Sequence, residues 1–261
     1  MGIQTTVGQL AQVGGGRVDQ PSGTLVDERA SRQSGSRGRD KLYALVETSG
    51  PLDGREAAAQ EIVRTLRQAY FAQPGSVTAG LQHAIREANS LLLEENRNSL
   101  PGERRTAGVT CAVLRDQDLF VAQAGPAAAY LEQKGQVSRF PDVSPWLDGI
   151  PPEEMDCFPL GERRDLNVAL FHAQMEAGDQ ILLADERLAR AVTPEAWPEI
   201  LAQDTLETVW DGLLTASGGS DLVALLVRLG PPAGAGRVPA AAPRPPAWHG
   251  IRDRLGDWKK V

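Results

Sequence analysis

Residues 46–59 read VETSGPLDGREAAA: an apolar run closes on an acid, a Gly/Pro loop turns the chain, and a helix begins. The run upstream, LYALVE (42–47), is short and apolar with a polar end, the pattern of a buried strand that delivers one polar group to the edge of a sheet. Downstream, Ala58, Ile62, Leu66, Ala69 and Tyr70 recur at three- and four-residue spacing between Arg55 and Phe71, which predicts an amphipathic helix. Strand, acid-bearing loop and helix together make a unit whose chemistry sits at the loop. The rest of the chain reads as the scaffold for it.

Pro74-Gly75 ends that helix, and Ser76 stands where an N-cap belongs before a second one, with Val77, Leu81, Ala84, Ile85, Ala88, Leu91 and Leu92 on one face. The period then changes to two. GVTCAVL (108–114), LFVAQAG (119–125) and AAAYLEQKGQVSRF (127–140) predict successive antiparallel strands, with turns at residues 115–118 and at Lys134-Gly135. The Pro-rich, acidic residues 141–165 predict a surface excursion. DLNVALFHAQM (165–175), QILLA (180–184) and LVALLVRL (222–229) predict three more strands. Thr193-Pro194 and Asp204 are read as caps of two helices, the second with Leu206, Val209, Trp210 and Leu213 on one face and Gly218-Gly219 at its end. Near the N-terminus Thr5–Val13 predicts one strand, and residues 14–40, rich in Gly, Ser, Arg and Asp, predict loop.

Six prolines between residues 230 and 247 rule out helix and central strand there, and predict an extended linker. Beyond it Trp248, Ile251, Leu255 and Trp258 form one helical stripe flanked by Arg252, Arg254, Lys259 and Lys260, a tail suited to dock on a partner or a membrane surface. The expected organisation is a domain over residues 1–229, a linker over 230–247 and a short amphipathic tail over 248–261.

In 261 residues a 41% hydrophobic content suffices for one substantial core. Asp and Glu number 34 against 27 Lys and Arg, a net charge of −7, so no basic field gathers nucleic acid phosphates and no nucleic acid partner is expected. Cys111 and Cys157 are read as reduced, structural thiols. The N-terminus has no charged region followed by an apolar core, and no apolar run approaches the roughly 18 residues of a membrane span, so a soluble, cytoplasmic chain is expected.

Taken in order, the acidic loop at 46–54, GVT (108–110), GPAAAY (125–130), GDQILLADERL (178–188) and Asp221-Leu222 before an apolar strand resemble the motif series of the PPM-type (type 2C) metal-dependent Ser/Thr protein phosphatases. The resemblance spans residues 42–229. It implies an α+β fold, a four-layer α-β-β-α sandwich of two antiparallel sheets flanked by helix pairs, with loops at one edge placing aspartates around two Mg or Mn ions. Against that pattern the polar residues of the third motif are replaced by small apolar ones, the metal-binding Asp of the fourth is Glu186 followed by Arg187 in place of Gly, and Asp221 keeps its acid while Leu222 replaces Asn. In the first motif either Glu47 or Thr48 takes the place of the bridging Asp; neighbouring strand residues face opposite sides, so both cannot serve. Residues 14–40 contain Arg17, Asp19 and Asp27 but no match to the family's N-terminal phosphate-clamping segment.

The resemblance therefore implies a degenerate member, with Glu47, Glu186 and Asp221 as a remnant metal site. The expected cofactor is none, or Mg or Mn if any. Each Asp to Glu change adds a methylene to a site whose octahedral oxygen shell tolerates little displacement, and Arg187 is read as a fixed cation taking over the charge of the metal. The function this implies is a pseudophosphatase that serves as a binding or regulatory module in Ser/Thr phosphorylation signalling, with a phosphoprotein or a kinase as its protein partner. The alternative is an active protein phosphatase with weakened Mg or Mn binding. Asp179, Asp185 and Asp221 also read as ordinary turn and cap residues, and His83 and His172 as surface or satisfied core histidines.

Overall fold

Alternation along the strands sorts the apolar side chains into three layers. In β4 (Lys41–Ser49) Leu42, Ala44 and Val46 point to one side, while Tyr43 and Leu45 point to the other. The first set packs with α1 (Arg55–Ala72), α2 (Val77–Arg97), β5 (Thr106–Arg115) and β6 (Asp118–Ala124). The second meets Ala129 and Leu131 of β7 (Ala127–Gln133), Ile181 and Leu183 of β10 (Gln180–Asp185) and Leu225 and Val227 of β11 (Leu222–Gly230) in the core between the sheets. The opposite faces of β7, β10 and β11 pack under α4 (Glu186–Ala191), α5 (Trp197–Leu201) and α6 (Leu206–Ala216).

The computed structural model describes residues 4–18, 20–28, 37–151, 154 and 157–231. Among these, β1 (Gln4–Val13) and β2 (Gly16–Arg17) open a six-stranded sheet of order β2-β1-β11-β10-β7-β8, with β8 at Gln136–Phe140. A five-stranded sheet runs β3-β4-β5-β6-β9, with β3 at Thr24–Asp27 and β9 at Ala169–Gln174. All pairings are antiparallel. The architecture is the expected four-layer sandwich. No helix among the described residues is long and apolar enough to cross a membrane.

Several local expectations are corrected. TLVD (24–27) is a strand inside the stretch predicted as loop, because Gly23 lets the chain lie flat on β4, where its carbonyl accepts the Val46 N–H at 2.7 Å. Residues 141–165 are more than a surface excursion: Pro145–Asp148 forms α3, Phe158 and Leu160 are buried, and Leu160 bridges Ala107. Thr193-Pro194 makes only a turn, and α5 starts at Trp197. The N-cap of α6 is Thr205, whose hydroxyl accepts the Thr208 N–H, and not Asp204. The helix layer over the six-stranded sheet includes α4, for which the sequence carries only one turn and a half of pattern. The expected linker lies outside the described residues from 232 onward, and the tail at 248–261 lies wholly outside them.

A buried ionic tie fastens the helix pair to its sheet. Asp40 receives a two-pronged bond from Arg115 of β5 at 2.6 and 2.8 Å and the Tyr70 hydroxyl of α1 at 2.6 Å. Arg37, 1% exposed, stands 3.8 Å from the same carboxylate, lies over the Tyr70 ring and donates to the carbonyls of Gln73 and Ser76 in the α1–α2 turn. Gly80 leaves the room that its guanidinium fills.

Candidate functional site

At one end of the sandwich the C-termini of β4 and β10 meet the N-terminus of β11 and the β1–β2 turn. The pleat decides which residues face the gap between the sheets. Glu47 continues the Tyr43, Leu45 side and points into it, whereas Thr48 lies on the helix side, its hydroxyl donating to the Arg55 carbonyl at 3.4 Å. Asp185 continues the Ile181, Leu183 side and faces the same gap from the other sheet.

Glu47 Oε2 accepts the backbone N–H of Glu186 at 2.7 Å, a bond from one sheet to the other. Asp185 caps α4, accepting the Leu188 N–H at 2.8 Å, and its second oxygen accepts the Val223 N–H at 2.9 Å. Asp221 accepts the Gly14 N–H of the β1–β2 turn at 2.7 Å. The Arg187 guanidinium stands between the two sheets' acids, with Nε 3.9 Å from Glu47 and Nη1 3.9 Å from Asp221. Glu186 is turned to Arg190, one helical turn on, at 2.6 Å.

Burial, and then the charge of Asp185, push the Glu47 carboxyl up to about 7, against the relief given by the Glu186 N–H and Arg187. Burial raises Asp185 to about 6 despite its two backbone bonds. Under these acids Thr110 is fully buried and Gln123 donates to the carbonyls of Gly125 and, at 3.1 Å, Ala127, so its amide holds the turn into β7. Gly108 is where the Pro126 carbonyl presses on β5, leaving no room for a side chain. From GPAAAY the structure brings no polar group to this edge, since Tyr130 faces the helix layer and stacks on Trp197 at 3.9 Å. The loop at 50–54 is braced by Arg55 on the Gly50 carbonyl at 2.6 Å and by Arg105 on the Asp53 carbonyl at 2.5 Å.

Of the three predicted acids, Glu47 and Asp221 thus converge on one cation, while Glu186 contributes its N–H here and its carboxylate elsewhere. Among the described residues no group of three or more His, Cys, Asp or Glu side chains is placed to hold a metal ion. Asp179 is a turn residue at the far end of β10, bound by Gln133 and by the Glu176 N–H, each at 2.7 Å. His83 pairs with Glu87 and His172 with Asp118, both away from this edge. Arg17 is engaged by Glu207 at 3.3 Å and Asp27 by Arg67 at 2.5 Å; Asp19 lies outside the described residues. Asp185, which in the sequence also reads as an ordinary turn or cap residue, does cap α4 and in addition faces the gap. Its parity with Leu183 was the available sign that it also faces the gap.

No family model matches the sequence, and no curated protein aligns with it. Solved structures match the fold. The serine/threonine phosphatase Stp1 from Staphylococcus aureus superposes with a TM-score of 0.68 at 18% identity, covering 88% of this chain and 96% of that one. The S. agalactiae serine/threonine phosphatase gives 0.67 at 14%, covering 86% and 99%. The catalytic domain of the phosphatase PstP, solved with two manganese ions, gives 0.64 at 19%, covering 88% and 99%. The chain has the fold of the PPM-type Ser/Thr phosphatases.

Proposed function

We propose that this chain is a pseudophosphatase, a PPM-fold protein whose catalytic edge is held together by a protein cation, acting in the cytoplasm as a binding or regulatory module in Ser/Thr phosphorylation signalling. The observation that carries the reading is Arg187, poised 3.9 Å from both Glu47 and Asp221. A two-metal hydrolase needs carboxylate oxygens free to ligate two cations about 3.5–4 Å apart, with a shared water as nucleophile. Here Glu47, Asp185 and Asp221 accept backbone N–H bonds, Glu186 is paired, and a dication would have to displace a guanidinium from the centre of the set. That donor set does not fit the metal. The geometry suits a structural role instead. It sets one cation against largely buried Glu47 and half-exposed Asp221 and ties the two sheets at this edge, so that loop 50–54 and the β1–β2 turn keep a fixed surface for a protein partner, a phosphoprotein or a kinase.

The fold likeness to a phosphatase solved with manganese favours one other reading, a metal-dependent enzyme with weakened Mg or Mn binding through Glu47, Glu186 and Asp221. Hydrolysis of a generic phosphomonoester separates the two. Under saturating Mn the rate is expected to stay at that of buffer. Turnover that requires Mn and disappears in Asp221→Ala would establish the enzyme instead.

A further inference from the structure

Two loops pack against each other beside the start of α1: residues 50–54, between β4 and α1, and residues 98–105, between α2 and β5. Contact is tight at Gly50, where φ is +119° and a Cβ would lie 2.7 Å from the Arg104 carbonyl oxygen. From there the Arg105 side chain runs along the first loop to Gly54. The second loop is held firmly by α2. The Asn96 amide accepts the Arg105 N–H at 2.9 Å and donates to the carbonyls of Arg105 at 2.6 Å and Gly161 at 2.9 Å.

Each loop brings one arginine that has no anion. Arg55 Nη2 donates to the Gly50 carbonyl and Arg105 Nη2 to the Asp53 carbonyl. Both side chains are partly buried, and the Nε of each is buried with no hydrogen-bond partner among the described residues. The acids nearby, Asp53, Glu56 and Glu103, are exposed and pair with neither guanidinium. A cation drawn partly out of water and met only by neutral carbonyls lacks its counter-charge, and an orphan buried N–H marks a place for an ion or a water. The helix end beside the pair adds to the field: Gly54, the N-cap of the 18-residue α1, has no side-chain oxygen to satisfy the first N–H groups. Each loop also carries an exposed leucine. Leu52 at 80% and Leu100 at 68% are the most exposed large apolar side chains among the described residues.

We infer that Arg55 and Arg105 form an oxyanion site for the phosphoryl group of a phosphoserine or phosphothreonine in a partner protein, with Leu52 and Leu100 receiving the apolar residues on either side of it. This rests on the binding-module reading above, and it names the phosphoprotein, not the kinase, as the partner. Two guanidinium forks from separate loops and a helix N-terminus suit a tetrahedral dianion. The site lies on the helix side of β4, where Thr48 reaches the Arg55 carbonyl, and not in the gap that Glu47 faces, so it needs no metal.

Nuclear magnetic resonance on the full-length, isotope-labelled chain tests this through the Nε–H signals of Arg55 and Arg105. Without metal, inorganic phosphate is expected to shift both signals with a dissociation constant on the order of 1 mM. A capped tripeptide of phosphoserine between two leucines is expected to bind about tenfold more tightly, through the added apolar contact. Arg105→Gln is expected to weaken the tripeptide by at least about tenfold, the loss of a charge-assisted bond, and Arg105→Lys by less. Arg86→Gln, an exposed arginine of α2, is expected to leave it unchanged. Amide signals that stay in place away from the two loops show that the variants are folded. Arg55 and Arg105 signals that do not move up to about 20 mM phosphate overturn the inference. So do equal affinities for the tripeptide and its unphosphorylated form, and equal affinities for tripeptide and phosphate, which assign the site to a free ion. Mn-dependent turnover together with these shifts removes the pseudophosphatase and keeps the site, whereas absent shifts without turnover remove the site alone.

Discussion

Asp40→Ala is expected to cost on the order of 3 kcal/mol or more of unfolding free energy. The Asp40 side chain is fully buried, and it is the carboxylate that both Arg37 and Arg115 face. Removing one partner from a buried pair leaves an uncompensated charge, the costly case, where removing an exposed pair is nearly neutral. Arg115 is about one-third exposed and can turn to water, but Arg37 is 1% exposed and cannot. It would keep the Gln73 and Ser76 carbonyls and the Tyr70 ring while losing its counter-charge. Urea denaturation checks this, with Arg64→Ala, in an exposed pair with Glu61, as the control expected to move by about 0.5 kcal/mol or less. A loss below about 1 kcal/mol in Asp40→Ala would show that the tie contributes little.

The second large effect is a fall in stability as pH rises. Glu47 stands at about 7 in the fold against 4.5 ordinarily, and Asp185 at about 6 against 3.8, burial being the main cause for both. The folded chain therefore holds more protons than the unfolded chain between those values. Each group's contribution is complete below its unfolded pKa and is lost as pH climbs through its folded pKa, so stability drops from about pH 4 to about pH 7. For Glu47 alone the shift corresponds to about 3 kcal/mol. Glu47→Gln is expected to flatten the curve by that order, and Arg187→Ala to steepen it, because the guanidinium favours the ionised acid. Identical slopes for wild type and Glu47→Gln would remove Glu47 as the source.

Much of the sandwich was legible because its strands and long helices carry clean periods. β4, α1, α2 and the run from β5 to β8 bury one face or two, and the sequence repeats that geometry residue by residue. What escaped was short or long-range. Four residues of β3 carry too little pattern to stand out from a Gly- and Ser-rich stretch, and α4 is a turn and a half. The Asp40 tie joins Arg115 across 75 residues, a pairing that no local spacing encodes. At the candidate site the residue types were readable but their directions were not. The choice between Glu47 and Thr48 depended on the phase of the pleat, and the role of Asp185 on both sheets meeting at one edge. Glu186 shows the limit well: its place in the motif was plain, yet its carboxylate follows Arg190, one helical turn away.

In the proposed pseudophosphatase the Arg187 guanidinium, 3.9 Å from both Glu47 and Asp221, takes the place of a metal ion. Crystals of the full chain soaked in manganese and measured at the manganese absorption edge test it most directly. The expected result is Arg187 between Glu47 and Asp221 with no anomalous peak among Glu47, Glu186 and Asp221. A peak bonded to those acids, with Arg187 swung out to solvent, would contradict it.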